Sequence, residues 1–365
     1  MEALADITAD STINAWDMPE TPHVLHAHGN TSVIDNIYDR ISLLDILAVC
    51  TTSRAGWVCW LRSRGRWFHM DKMTAVYLND VEAFRSILQY TGSVVAGSCV
   101  ESFLNRRLSG KQPMDVVVEF IHAQAIQTFL IEKEGYARWA GDRWTQEEYF
   151  ARRRSKRRTQ GKGLVPDRLR KEHEDPFEAT FTYMRRLSVN KTQYIRINIP
   201  STCVAKSILT PDSSKRHFNK LSIRTYSPTA SFMAFMSAQT LMALCPKATY
   251  IHNVSIRLNS SKSGRGHPSP VFTEVWHDNI LHRPACTARD KRMLNNGNGK
   301  GVLRSMGDKA SWTMFYNERG EVTTQDEEKK ADQMKRLGVN KWSTNIVEGM
   351  AQVDVYQTDW DSFRP

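Results

Sequence analysis

The sequence lacks a long apolar run. Its best candidate, Ser231 to Cys245, is interrupted by Ser237, Gln239 and Thr240 and falls short of the roughly 20 residues a spanning helix needs, so no membrane span is expected. The amino terminus is acidic and has neither a basic start nor an apolar core, and no secretory signal is expected there. Paired cysteines are also missing. Cys50, Cys59, Cys99, Cys203, Cys245 and Cys286 are scattered, which excludes a disulfide framework and suits reduced thiols in the cytoplasm or nucleus. His23, His26 and His28 have no cysteine or carboxylate cluster beside them, and His277, His282 and Cys286 have no fourth ligand, so neither group reads as a metal site. The glycine-rich stretch 295–301 contains a lysine without Walker spacing, which argues against a phosphate cradle there.

What is present is ample apolar content and an excess of positive charge. A chain of 365 residues that is 41% hydrophobic can bury one large core or two to three smaller ones. A net charge of +11 favours a polyanionic neighbour such as a nucleotide or nucleic acid. The charge is concentrated in one place. Arg152, Arg153, Arg154, Lys156, Arg157 and Arg158 are six basic residues in seven, and they follow Trp139, Trp144, Tyr149 and Phe150. Aromatic faces beside such a run are the composition of a single-stranded nucleic-acid contact, and a run of this kind also serves nuclear import or remains a solvated loop.

Residues 1–30 are polar and without period, and are read as a tail. From Val33 apolar residues recur at helical spacing, giving short helices over residues 31–78. Asn79 to Glu82 resembles a capping arrangement opening a helix through Tyr90, with Phe84, Ile87 and Leu88 buried. Val94 and Val95 then read as a strand, Gly97-Ser98 as a tight turn, and Val100, Phe103 and Leu104 as the inner face of a helix. Val116 to Val118 form a second strand buried on both faces, and a helix from about His122 to Lys133 stops at Gly135. Further on, Ser311 to Tyr316 and Glu321 to Thr323 make a hairpin around Asn317 to Gly320, followed by a charged helix from about Thr324 to Leu337.

Two stretches carry family resemblances. The segment with Leu43-Leu-Asp45 and Ser53-Arg54 resembles an F-box, although the usual Leu-Pro start is absent. That resemblance implies docking of Leu43, Leu44, Ile46 and Leu47 in an apolar groove on the adaptor of a cullin-type ubiquitin ligase, with the rest of the chain as substrate receptor. The order of strand, Gly97-Ser98, helix and Met114-Asp-Val-Val-Val-Glu119 resembles the start of the nucleotidyltransferase fold. The two features together, with Ala96 to Leu104, Glu134-Gly-Tyr136, Leu221 to Pro228, Cys245 to Tyr250 and Met306 to Trp312, are similar to a group of mushroom-type fungal proteins.

The resemblance implies an α/β protein: a diverged nucleotidyltransferase-like mixed sheet over residues 79–315, with a basic insertion at about 140–215, a hairpin and helix extension at 316–365, and the F-box-like helices in front. It also implies that Gly97 and Ser98 contact a nucleotide triphosphate and that Asp115 holds Mg²⁺. The departures limit that function. Pro113 stands where the first carboxylate of the pair is expected, Ser222 or Arg224 stands on the later strand, and Glu119 lies about 13 Å from Asp115 by strand rise. One carboxylate does not clamp two metal ions, so the expected protein is a catalytically impaired, nucleotidyltransferase-like binding protein. The rival is an active metal-dependent nucleotidyltransferase using Asp115, for which a single weak Mg²⁺ site would have to suffice.

Overall fold

The computed structural model describes residues 54–140, 177–189, 191–200, 233–245 and 311–323, the strands at 254–259, 275–276, 280–284, 304–305, 341–347 and 350–356, and a few isolated positions that include Ile46, Tyr149, Val204 and Ile208. Leu43, Leu44, Leu47, the basic run Arg152 to Arg158, the stretch Leu221 to Pro228 and the expected helix 324–337 lie outside the described residues.

Helix α1 (Arg54–Trp67) leads into the short α2 (Met70–Thr74). Trp60 packs against Trp67 and Phe68, and Phe68 meets Phe103 edge-on at 5.8 Å. Each such ring contributes about 1.5–3 kcal/mol by leaving water. Helix α3 (Val81–Thr91) buries Phe84 and Leu88 and ends at Gly92 in the left-handed conformation. Its cap is Asp80, whose Oδ1 accepts from the Ala83 amide at 3.0 Å, one residue later than the sequence suggested. The Asn79 and Asp80 amides both donate to Glu134, which takes the place that Glu82 would hold in a capping box.

Strand β1 (Val94–Ala96), helix α4 (Ser98–Leu104) and strand β2 (Met114–Val117) follow in the expected order. The segment after β2 is not one helix. A 3₁₀ turn (Phe120–His122) opens α5 (Ala123–Thr128), and a π turn (Phe129–Lys133) closes it before Gly135. Strand β3 (Ala137–Arg138) and the long hairpin of β4 (Phe177–Ser188) and β5 (Lys191–Pro200) come next. Then come β6 (Ala234–Met236), β7 (Thr240–Ala243), β8 (Val254–Asn259), β9 (Val275–Trp276), β10 (Ile280–Pro284), β11 (Arg304–Ser305), β12 (Trp312–Tyr316), β13 (Val322–Thr323), β14 (Lys341–Val347) and β15 (Met350–Tyr356).

These strands form two sheets. The first is nine-stranded and mixed, ordered β13-β12-β7-β6-β1-β2-β5-β4-β3, and with its helices it makes the protein α/β. The second is six-stranded, ordered β11-β14-β15-β8-β10-β9. In the first sheet β2 and β5 run parallel, and the other described pairs are antiparallel. Residues 177–200, inside the stretch read as an insertion, therefore supply β5, which pairs with β2, and β4 beyond it. Alternation assigns its two faces: Val95, Met114, Val116, Phe181, Tyr183, Ile195 and Ile197 join the main apolar cluster, and the residues between them point the other way.

Two residues read as contact groups are buried in that cluster instead. Ile46 is fully buried in this chain's own core, which leaves it no exposed surface to place in a partner's groove. Tyr149 packs edge-on against Phe120 (5.8 Å) and Phe181 (5.7 Å), so it is a core residue and not a stacking platform. The β12–β13 turn is held by Asn317, whose Oδ1 accepts from the Arg319 and Glu321 amides. Gly320 has φ 75°, and its carbonyl accepts from the Met70 amide at 3.0 Å. A side chain there would strike the Arg85 guanidinium, which is paired with Asp71 at 3.1 Å. Among the described residues no helix is long and apolar enough to cross a membrane.

Candidate functional site

Gly97 has φ 84° and ψ −154°, a conformation that L side chains rarely adopt, and the chain turns there from β1 straight into α4. Gly97 is buried and Ser98 is half-buried. Residue Ala96, next to the turn, is paired in register with Asp115 on β2. Gly97, Ser98 and Asp115 are thus brought to one end of two adjacent strands, as the sequence suggested. Glu119 is not among them, because β2 stops at Val117 and Glu119 is an exposed residue preceding the 3₁₀ turn.

Asp115 lies in the middle of an otherwise apolar strand and is only 2% exposed. An uncompensated carboxylate there would be very costly, so its partners decide the chemistry. On the other side of β2, parallel pairing sets Asp115 beside Arg196 on β5. The guanidinium meets the carboxylate side-on: Nε donates to Oδ1 at 2.5 Å and Nη2 donates to Oδ2 at 2.7 Å. Asn198, two residues along and on the same face, donates from Nδ2 to Oδ1 at 3.3 Å. Its own Oδ1 accepts from the Thr180 hydroxyl on β4 at 2.9 Å. One sheet face therefore carries a polar row across three strands, with a two-pronged ion pair at its centre, the strongest form of arginine–carboxylate contact.

Cys99, in the first turn of α4, donates from Sγ to the Ala96 carbonyl at 3.5 Å. Burial, with the Asp115 charge adding to it, pushes its thiol up to about 12. It stays protonated at neutral pH and is no nucleophile.

The geometry bears directly on Mg²⁺. That ion demands oxygen ligands in near-octahedral array, usually one or two carboxylates plus substrate phosphates. Both oxygens of Asp115 already accept from Arg196, and one accepts from Asn198 as well. Among the described residues no three His, Cys, Asp or Glu side chains gather to hold a metal. The residues present do not fit a divalent cation at Asp115.

A second buried ionic group lies on the opposite, cluster-facing side of β4 and β5. The Glu134 side chain is fully buried and accepts from the Asn79 and Asp80 amides, both at 2.7 Å, and from Arg185 Nη1 at 3.0 Å. Arg185 also donates to the Tyr77 carbonyl and to Gln193 Oε1, and lies over the Tyr136 ring. By tying the entry of α3 to β4, this group acts as a strut of the fold.

Arg196, Asn198 and Thr180 were not singled out from the sequence. The signal existed in β5, where Arg196 and Asn198 alternate with Ile195, Ile197 and Ile199. Polar residues that alternate so regularly with buried isoleucines mark a second face of the strand that is itself largely covered, where an arginine needs a counter-charge.

Comparison of the chain with protein-family models, with curated proteins and with solved structures finds no match.

Proposed function

We propose that this chain is a nucleotidyltransferase-like scaffold that binds a nucleotide and has lost metal-assisted transfer. The observation that carries the reading is the state of Asp115. It sits in register with the end of β1, one residue from the Gly97 turn, as a metal-holding carboxylate of that fold would, yet its carboxylate is consumed by Arg196. The order of β1, turn, α4 and β2 supports the fold half of the reading. The net charge of +11 is consistent with a phosphate-bearing ligand. Two-metal transfer requires both the attacking and the leaving oxygen to be clamped, and a carboxylate neutralised by a guanidinium does not supply that clamp.

The test is calorimetric titration of the four ribonucleoside triphosphates into the full chain, once with Mg²⁺ and once in EDTA. At least one is expected to bind with affinities that agree within about threefold in the two conditions. The variant Ser98→Asp, which puts negative charge at the turn, is expected to weaken that binding by at least about tenfold. Absence of binding to all four would remove the nucleotide reading. Binding abolished by EDTA and by Asp115→Asn would favour the metal-dependent enzyme instead.

A further inference from the structure

We infer that the Arg196 guanidinium is a resident cation standing in for a divalent metal at Asp115, so that this site excludes metal and takes its ligand without one. The inference deepens the reading above and rests on it for the comparison with a metal-bearing fold. Its physical basis is local. Arg196 presents two donors to two oxygens at 2.5 and 2.7 Å, a pairing fixed by the register of Asp115 with Arg196 across β2 and β5. Asp115 is buried and Arg196 largely covered, with side-chain exposures of 3% and 14%. The pair is further braced by Asn198, which Thr180 orients.

A divalent ion approaching Asp115 would meet a fixed positive charge within a few ångströms in a medium of reduced dielectric, where like charges repel strongly. To bind, it would have to displace the guanidinium and leave that charge buried without its partner, a costly exchange. On the β1 side, the registered neighbour is Ala96, which offers no side-chain ligand. The exclusion is assigned to Arg196 because it holds both carboxylate oxygens. Removing the guanidinium charge should release both carboxylate oxygens from Arg196, while Asn198 Nδ2 still donates to Oδ1.

The experiment uses Mn²⁺ alone, without nucleotide, followed by the electron paramagnetic resonance of the free ion. Wild-type and Asp115→Asn are expected to give superimposable isotherms. Arg196→Met is expected to gain one Mn²⁺ equivalent, bound at least about tenfold more tightly than any in wild-type, and to lose it in Arg196→Met/Asp115→Asn. Arg196→Gln, which removes the charge but keeps a hydrogen-bond donor, provides a second route to the same result if the methionine variant does not fold, as judged by circular dichroism. Asp115-dependent Mn²⁺ uptake by wild-type, or no gain in a folded charge-removed variant, would overturn the inference. Because no nucleotide is present, its failure is separable from a failure of nucleotide binding.

Discussion

Asp115→Val is expected to cost about 3–5 kcal/mol of stability, because it leaves the Arg196 guanidinium largely buried without its counter-charge. Arg196→Met should cost a comparable amount by stranding the carboxylate. Their combination is the informative variant. Replacing both partners of a buried ion pair with apolar groups is often neutral, so Asp115→Val/Arg196→Met should be far more stable than the sum of the single changes implies. Urea denaturation followed by circular dichroism gives the coupling energy, expected at about 2 kcal/mol or more. Additive single and double changes would mean that the two side chains do not act as a pair. A metal-holding carboxylate would behave in the opposite way, since removing a ligand from a cluster of negative charge relieves repulsion and commonly stabilises the protein without its metal.

Glu134→Ala is expected to be similarly severe, at about 3–5 kcal/mol, for a different reason. Glu134 satisfies two backbone N–H groups at the entry to α3 and simultaneously holds Arg185 of β4, so its loss unfastens a helix start from the sheet. Glu134→Gln should recover only part of the stability, because its NH₂ group donates and can accept from neither an amide nor a guanidinium, leaving a single acceptor oxygen. Hydrogen exchange supplies the local readout. The amides of Asn79 and Asp80 should lose protection in both variants while those of β12 keep theirs. Unchanged protection at Asn79 and Asp80 would show that the carboxylate is not what orders that turn.

The parts of the fold that could be read directly are those fixed by local chemistry. The β1–Gly97–α4–β2 unit follows from a short apolar run, a glycine at a turn only glycine tolerates, and a helical stripe ending at Leu104. The hairpin after Trp312 follows from the Asn317 to Gly320 turn. The parallel pairing of β2 with β5 was not legible, since nothing local says that residue 115 meets residue 196 across 81 positions of chain. That one long-range register changes the chemical meaning of Asp115, from a lone metal ligand to half of an ion pair. Glu134 was hidden for a related reason: two of its partners are backbone amides, which leave no mark on the sequence, and the third, Arg185, lies 51 positions away. The break of the segment from Phe120 to Lys133 into 3₁₀, α and π turns was likewise invisible, because the apolar period there tolerates all three.

The most direct measurement of the central claim is the arginine Nε–Hε nuclear magnetic resonance spectrum of the full chain, with Arg196 assigned through Arg196→Lys. The account predicts an Arg196 signal shifted from the bulk arginine position and slow to exchange with water, abolished by Asp115→Asn and unmoved by millimolar Mg²⁺. An Arg196 signal that exchanges freely, or one released when Mg²⁺ is added, would contradict it by showing that Asp115 is open to a metal ion.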